Sequence, residues 1–475
     1  DVGPLFTDEQ RSHWAFQPVT SPPLPVIRHG NWITSPIDHF VLARLESAKL
    51  SPAPQAEKRL LIRRATYDLT GLPPTLGEIE AFLGDASPNA FNKVIDRLLG
   101  SPHYGERWGR HWLDVARYAD STGNDEDHRY PHAWRYRDYV IAAFNEDTPY
   151  DQFVREQIAG DLLPSDDPDG VNRRGVVATG FLALGPKALA QRDKDKMLYD
   201  VYDEQMDVVT KAFMGLTVTC ARCHDHKFDP ILTKDYYSLA GIFASTRSFR
   251  FPRVFVSKPW VTPLVPEEEY QGYLRHRDAI AAKRFEIDDI VGEHLERHNR
   301  KLVGNLAKYM LAARKVYYDG AAPADAASEE QLDKDILRRW VGYLRPRADD
   351  TRSYLSDWRS APEGTLPKIA LAYQWEFEEI ACEWHATMRR WRQAVKKAVQ
   401  DKNMPPPDRP KFDPEEDAFF DDVHFAEQGP FTLSAQEQDA VIPAPTGAVV
   451  AGLRQELRRL EATLPPEPEL ASSVA

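Results

Sequence analysis

Three cysteines among 475 residues are too few for a disulfide framework, so cysteine here marks sites rather than staples. Cys220 and Cys223 stand at C-x-x-C spacing, and Cys382 is a singleton. No run approaches 18 consecutive apolar residues, so no membrane span is expected. The first residues, Asp1-Val2-Gly3-Pro4, carry neither the basic nor the apolar region of a signal peptide; either the chain is cytosolic or its signal has been removed. Positive charge is also short. With 60 Lys and Arg against 73 Asp and Glu the net charge is −13, which disfavours a nucleic-acid partner or an anionic membrane surface. There is no internal repeat of fixed period.

What is present reads as a folded protein of two to three domains: 42% apolar and 28% charged residues leave disorder an unneeded assumption. Residues 1–34 are extended and proline-punctuated, a strap laid over a core. From Ser35 apolar residues recur at helical spacing (Ile37, Phe40, Val41, Leu45). Further helices are expected at 57–69, ending at Gly71-Leu72-Pro73-Pro74, and after Thr75, with Glu78 at the capping-box position. Others are expected at 89–99, 104–118, 134–145, 150–162 and 199–218, the last running directly into the cysteine motif. After about Ser245 a short hairpin at 249–264 leads to a long charged helix at 267–318, an Ala-rich loop at 321–328, and helices at 329–344, 369–400 and 448–464. A Pro/Asp-rich linker covers 403–417. The expected domains are the strap (1–34), a helical domain with the motif (35–245), a helical, coiled-coil-like region (246–402) and a linker with C-terminal tail (403–475).

Cys220-Ala221-Arg222-Cys223-His224 carries the sharpest chemistry. In c-type haem attachment two thiolates add across the vinyl groups and the adjacent histidine becomes the proximal iron ligand; C-x-x-C-H is the shortest chain geometry serving both tasks. The main rival is a tetrahedral zinc on Cys220, Cys223, His224 and His226, although ligands so close in sequence make a cramped site. Thioredoxin-like dithiol chemistry would need a βαβ pattern that is absent. For a sixth iron ligand the candidates are His103, His111, His128, His132 and His385, and Met197, Met206, Met214 and Met388; no spacing rule selects among them. Asp225 or Asp229 is placed to orient the ligating ring, while Cys382, on a Trp-rich helix, reads as buried and inert.

Several strings follow one another in an order that resembles a large family of planctomycete cytochrome c-like proteins. They begin at Pro36-Ile37-Asp38-His39-Phe40, Tyr67-Asp68-Leu69-Thr70-Gly71, Tyr104-Gly105-Glu106-Arg107-Trp108, His111-Trp112-Leu113-Asp114 and Trp134-Arg135-Tyr136-Arg137, and end with Cys220 through Pro230. The resemblance covers about residues 13–245. It implies an exported protein with a haem c site and an unknown substrate, often flanked by a separate cytochrome domain and a further C-terminal domain. A second chain or domain of the same precursor is thus an expected partner.

Between 106 and 161, Arg, Asp, Trp and Tyr crowd onto helical patterns. Arg107, Arg110, His111, Asp114, Arg117 and Asp120 recur every three or four residues, and the interleaved Trp108, Trp112 and Tyr118 imply partial burial. Arg117 and Arg137 are candidates for haem propionates or substrate anions, and His111 and Asp120 for proton transfer or the distal iron position. The expected fold is mainly α: a multi-helical haem-bearing domain, then a second helical region with a long antiparallel helix pair and minor β. The expected function is an extracytoplasmic, periplasmic or secreted, haem-c redox enzyme acting on a small molecule or carbohydrate. Two alternatives stay open: a haem-c electron-transfer subunit serving a redox partner protein, and a zinc-stabilised binding or scaffold protein.

Overall fold

The computed structural model describes residues 6–124, 126–346, 350–400 and 407–475. It is mainly helical with minor β structure, and among the described residues no helix is long and apolar enough to cross a membrane. The chain divides into two compact units, Asp1–Tyr270 with Glu467–Ala475, and Gln271–Pro466.

In the first unit the helix starts and stops lie where the side chains dictate. Helix α1, Pro36–Ser47, opens with Pro36 behind the cap Ser35, and the Asp38 carboxylate accepts from the Ser35 N–H. Helix α2, Lys58–Thr70, ends on Gly71 in the left-handed conformation. Helix α3, Leu76–Gly84, carries the Thr75/Glu78 capping box. Then follow α4 (Ala90–Leu99), α5 (Pro102–Val115), α6 (Ala133–Asn145) and α7 (Tyr150–Ala159). Helices α5 and α6 cross at Gly105, where a Cβ would stand 2.3 Å from the Ile141 carbonyl oxygen. Two short helices, Arg173–Ala178 and Gly180–Ala183, precede α8 (Lys194–Val209) and α9 (Thr233–Ser245). The shared core includes Tyr136, Phe181, Leu184, Met206, Val218 and Val474.

Four expectations need correction here. The segment 6–34 does not lie over a core: none of its residues is buried, and Trp14, Val19 and Val26 are exposed. It is tied to α1 by the Arg28 and His29 N–H groups, donated to the Glu46 carboxylate, and by the Thr34 N–H and hydroxyl, donated to Asp38. The 199–218 helix stops short of the cysteines, as described below. Only half of the 249–264 hairpin forms: β1 (Phe249–Phe251) pairs antiparallel with β2 (Lys258–Pro259), but β3 (Val261–Pro263) pairs with β4 (Leu470–Ser472) near the C-terminus. The Ala-rich stretch 321–328 is helical from Pro323 to Glu330, because Pro323 at the first helical position starts it.

The second unit is built on long helices. The expected 267–318 helix is two, α10 (Glu267–Val303) and α11 (Leu306–Tyr318), parted at Gly304-Asn305. After α12 (Lys334–Leu344), α13 (Leu366–Gln400) runs antiparallel to α10: Glu296 meets Arg389 and Arg392, and Asp289 meets Lys396. Helix α14 (Ala444–Ala462) also lies antiparallel to α10, with His276 against the Leu460 carbonyl and Lys283 against Glu456. Trp340, Trp358, Phe377 and Phe420 fill the core of this unit. The expected linker at 403–417 lies partly outside the described residues.

Candidate functional site

Helix α8 gives way to a π-type turn at Thr210–Met214, and Gly215, at φ +66°, reverses the chain in a conformation that costs an L side chain energy. A 3₁₀ turn, Val218–Arg222, then carries Cys220. Residues three apart eclipse in a 3₁₀ turn. Val218 and Ala221 accordingly fall on the inner face and are buried, while Cys220 and Cys223 are both exposed. The helix of origin does not present the sulfurs; this separate turn does.

Carboxylates of α8 hold the turn. The Thr219 hydroxyl donates to Asp207 (3.3 Å), and the Arg222 guanidinium lies 3.4 Å from Asp203. From α9, the Tyr237 hydroxyl donates to the Arg222 carbonyl (3.1 Å) and the Tyr236 hydroxyl to Asp203 (2.6 Å). Burial, with the Asp203 charge beside it, holds the Tyr236 hydroxyl well above the ordinary tyrosine range, so it stays a donor.

The two histidines of the motif adopt opposite tautomers. His224 is exposed, and its Nδ1 lies 2.8 Å from the Asp225 carbonyl oxygen. A carbonyl only accepts, so Nδ1 carries the proton and the Nε2 lone pair is free. His226 is largely buried, and its Nδ1 accepts the N–H of Asp229 (2.8 Å) and of Phe228 (3.3 Å). Its proton therefore sits on Nε2, 3.4 Å from the Thr217 hydroxyl. His226 is occupied in holding its own loop. The Asp225 carboxylate accepts from the Thr233 N–H (2.8 Å) at the start of α9, and Asp229 lies against His226. Orientation of the His224 ring thus falls to a backbone carbonyl rather than to either carboxylate.

These residues fit a covalently held haem: two outward thiols and a histidine nitrogen with a free lone pair. Tyr237, bonded to the Arg222 carbonyl, is 59% exposed, and Phe228, against the His226 ring, is 78% exposed. Among the described residues no group of three His, Cys, Asp or Glu side chains is arranged to hold a metal ion.

The other expected site residues fall elsewhere. Arg117, in the left-handed conformation at φ +46°, has its guanidinium paired with both oxygens of Glu204 and donating to the carbonyls of Ala116, Phe181 and Leu184. It clamps three segments together and has no N–H left over for an anion. Asp120 accepts from the Tyr118 hydroxyl (2.6 Å), and Arg137 donates to Asp138 (2.9 Å) within the field of Tyr118 and Asp120, so these four form one surface cluster. His111 is exposed on α5 beside Arg107 (3.1 Å). None of the four bonds to residues 217–237. Of the sixth-ligand candidates, Met197 and Met206 are buried in the first unit, and His385 and Met388 belong to the second. Cys382 is exposed rather than buried, since α13 turns it to solvent.

Two residues escaped sequence reasoning. Glu204 is the counter-ion of Arg117, and Lys187 is buried with its Nζ donating to the Leu184 carbonyl (2.8 Å). Burial pulls the Lys187 ammonium down to about 8. The Gly185-Pro186 pair beside it marks a turn, but nothing in the sequence says that the turn is buried.

Residues 36–248, a little under half of the chain, match the model of the family described as PSCyt2, a protein of unknown function (DUF1549). The match spans the whole region from α1 through the cysteine motif to α9. No curated protein and no solved structure matches the chain.

Proposed function

We propose that the chain carries one c-type haem, which Cys220 and Cys223 would hold covalently and His224 Nε2 would ligate, and works as a redox protein in an extracytoplasmic compartment. One observation carries this reading: the Asp225 carbonyl fixes His224 in the tautomer whose Nε2 is free, beside two thiols exposed on one face of the turn. Ligating histidines ordinarily donate their other ring N–H in this manner. Zinc is the weaker reading, because the Nδ1 of its fourth ligand, His226, already accepts two backbone N–H groups.

When bound, such a haem supplies one-electron chemistry at iron. The chain's own part is to present and orient. Val218 and Ala221 anchor the turn, Asp203 and Asp207 brace it, and the Asp225 carbonyl sets the ring plane of His224.

The test is production in the periplasm of a host with cytochrome c maturation machinery. A pyridine haemochrome spectrum with haem retained after acid-acetone is expected, and C220S with C223S should release it. A protein that emerges with stoichiometric zinc and no haem would sink the proposal. Spectral change on adding cyanide or carbon monoxide then separates an enzyme with an open iron position from a carrier with both axial sites filled.

A further inference from the structure

A second site lies in the first unit, away from the cysteine turn, where α5, α6 and α7 meet. A cavity of about 200 Å³ opens there between Tyr104 and Trp112 of α5, Phe144 of α6, and Tyr150 and Phe153 of α7, with Asp147 at its edge. That is below the roughly 300–1,000 Å³ of pockets for drug-sized ligands, which suits a small solute and not a large cofactor.

The walls are aromatic, and they stand at steep angles. Phe153 is the buried floor, 6% exposed. Trp112 meets it edge-on at 5.0 Å and 65°, and Phe144 at 6.2 Å and 73°. The indole N–H of Trp112 is turned inward to Gln157 (2.7 Å) and Tyr136 (3.1 Å), so what the indole offers the cavity is its carbon framework. Tyr150 is 60% exposed and forms the outer wall.

Of the lining residues only Asp147 is charged; the Arg174 guanidinium reaches the lining residue Thr148 (2.8 Å) but is paired with Glu146 and Glu156. Neighbouring Glu146 is neutralised by Arg174, yet among the described residues the Asp147 carboxylate has neither an ion-pair nor a hydrogen-bond partner. Asp147 is also held at φ +50°, a left-handed conformation uncommon outside glycine, and only its backbone N–H is bonded, to the Phe144 carbonyl (3.3 Å). The connection between α6 and α7 thus sets an unpaired carboxylate at the mouth of an aromatic box.

Aromatic faces are negative at their centres and attract cations, most strongly those whose own hydration is weak. An alkylated ammonium meets that description: its methyl groups bury against rings, it needs no hydrogen-bond acceptors, and its positive charge answers the carboxylate. A metal ion would find a single carboxylate and no further ligands, and an anion would be repelled. We propose that this box binds a small free quaternary ammonium solute of the choline type, with Tyr104, Trp112, Phe144, Tyr150 and Phe153 enclosing the cationic head and Asp147 as its counter-charge.

Isothermal titration of the full chain with choline and with tetramethylammonium tests this, against 3,3-dimethyl-1-butanol, the uncharged isostere of choline, and glycine betaine, whose carboxylate would face Asp147. Both cations are expected to bind, the isostere and betaine at least tenfold more weakly. Asp147→Asn keeps a residue that tolerates the left-handed backbone, and Tyr150→Leu alters a largely exposed wall; each is expected to weaken choline about tenfold with the thermal transition unmoved. Equal binding of choline and its isostere, no binding of either cation, or unaltered affinity in both variants would overturn the proposal. Displacement of choline by phosphatidylcholine vesicles would move the source to a lipid head group and overturn the assignment to a free solute.

Discussion

Arg117, Glu204 and Lys187 place three charges within reach of the same carbonyl-lined corner, and each is held there by a different means. Arg117 and Glu204 neutralise one another at about one-fifth exposure, so removing one partner leaves the other poorly solvated. Glu204→Gln is expected to lower the stability of the first unit by about 2–4 kcal/mol, read by urea denaturation. Lys187 is held by its bond to the Leu184 carbonyl (2.8 Å), and burial pulls its ammonium down to about 8 from the ordinary 10.5. Between those values the unfolded chain binds a proton that the native chain does not, so stability rises with pH through this window, by about 3 kcal/mol if no other group intervened. Above pH 10 the buried tyrosines Tyr130 and Tyr136, which stay protonated only in the native state, reverse the trend. Denaturation at pH 7.5 and 9.5 should show the rise, and Lys187→Met should flatten it; an unchanged slope in that variant would place the effect elsewhere. None of this was legible in the sequence. Spacing by three or four put Arg117 on a charged helix face, but α5 ends at Val115 and Arg117 lies beyond it at φ +46°, bonded to the Phe181 and Leu184 carbonyls 64 and 67 positions away, which only the packed chain brings near. By contrast, the C-x-x-C-H spacing of Cys220, Cys223 and His224 is read directly from the sequence, because it is local and needs no tertiary contact.

Helices were legible for the same local reason. The caps at Ser35 and Thr75, the stop at Gly71 and the period of apolar residues all act within a few positions. The end of α8 was not, because 199–218 keeps an apolar period through Phe213 and Leu216 while the backbone has already loosened into a π-type turn and reversed at Gly215. That break matters for the site, since it frees the cysteines from helical geometry and places them on a turn pinned by Val218. Val218→Ala, which leaves the pentapeptide intact, is expected to cost about 1–3 kcal/mol and, on the haem attachment proposed above, to lower the yield of covalent haem; undiminished incorporation would show that the turn forms without its anchor. A sharper constraint joins the Arg173–Ala178 helix to the end of α7. Gly160 and Gly175 lie backbone against backbone, and a Cβ on Gly175 would stand 2.2 Å from the Gly160 carbonyl oxygen. No side chain can yield there, so Gly175→Ala should cost more than about 3 kcal/mol, and a soluble variant with an unshifted melting temperature would contradict the packing.

At the scale of the whole chain, the feature with most consequence is the pairing of β3 with β4. Sequence reading took 249–264 for a closed hairpin and the last residues for a tail, because strand partners some 200 positions apart leave no local trace. In the structure the Leu264 N–H donates to the Glu469 carbonyl (2.8 Å), so the chain leaves the first unit and returns to it at adjacent points. The returning segment completes that unit: β4 pairs with β3, the Ala475 N–H donates to the Arg247 carbonyl (3.1 Å), and Val474 is buried in the core shared with Val218 and Ala221. The second unit, with its own Trp340 and Phe377 core, is therefore an insertion between two paired strands, and insertions of this kind are tolerated where the ends lie close together. Two opposite outcomes are expected from two deletions. Replacing residues 266–467 by a short Gly-Ser turn should leave a first unit that still unfolds in one cooperative transition, because β3, β4 and Val474 are all retained. Ending the chain after Pro466 keeps far more residues, yet it should destabilise the same unit by at least about 3 kcal/mol, through the loss of a buried valine and a strand. Thermal unfolding followed by circular dichroism, with haem incorporation as a second readout, compares the two; if the longer chain proved the more stable, the last nine residues would not be part of the fold that carries the cysteine turn.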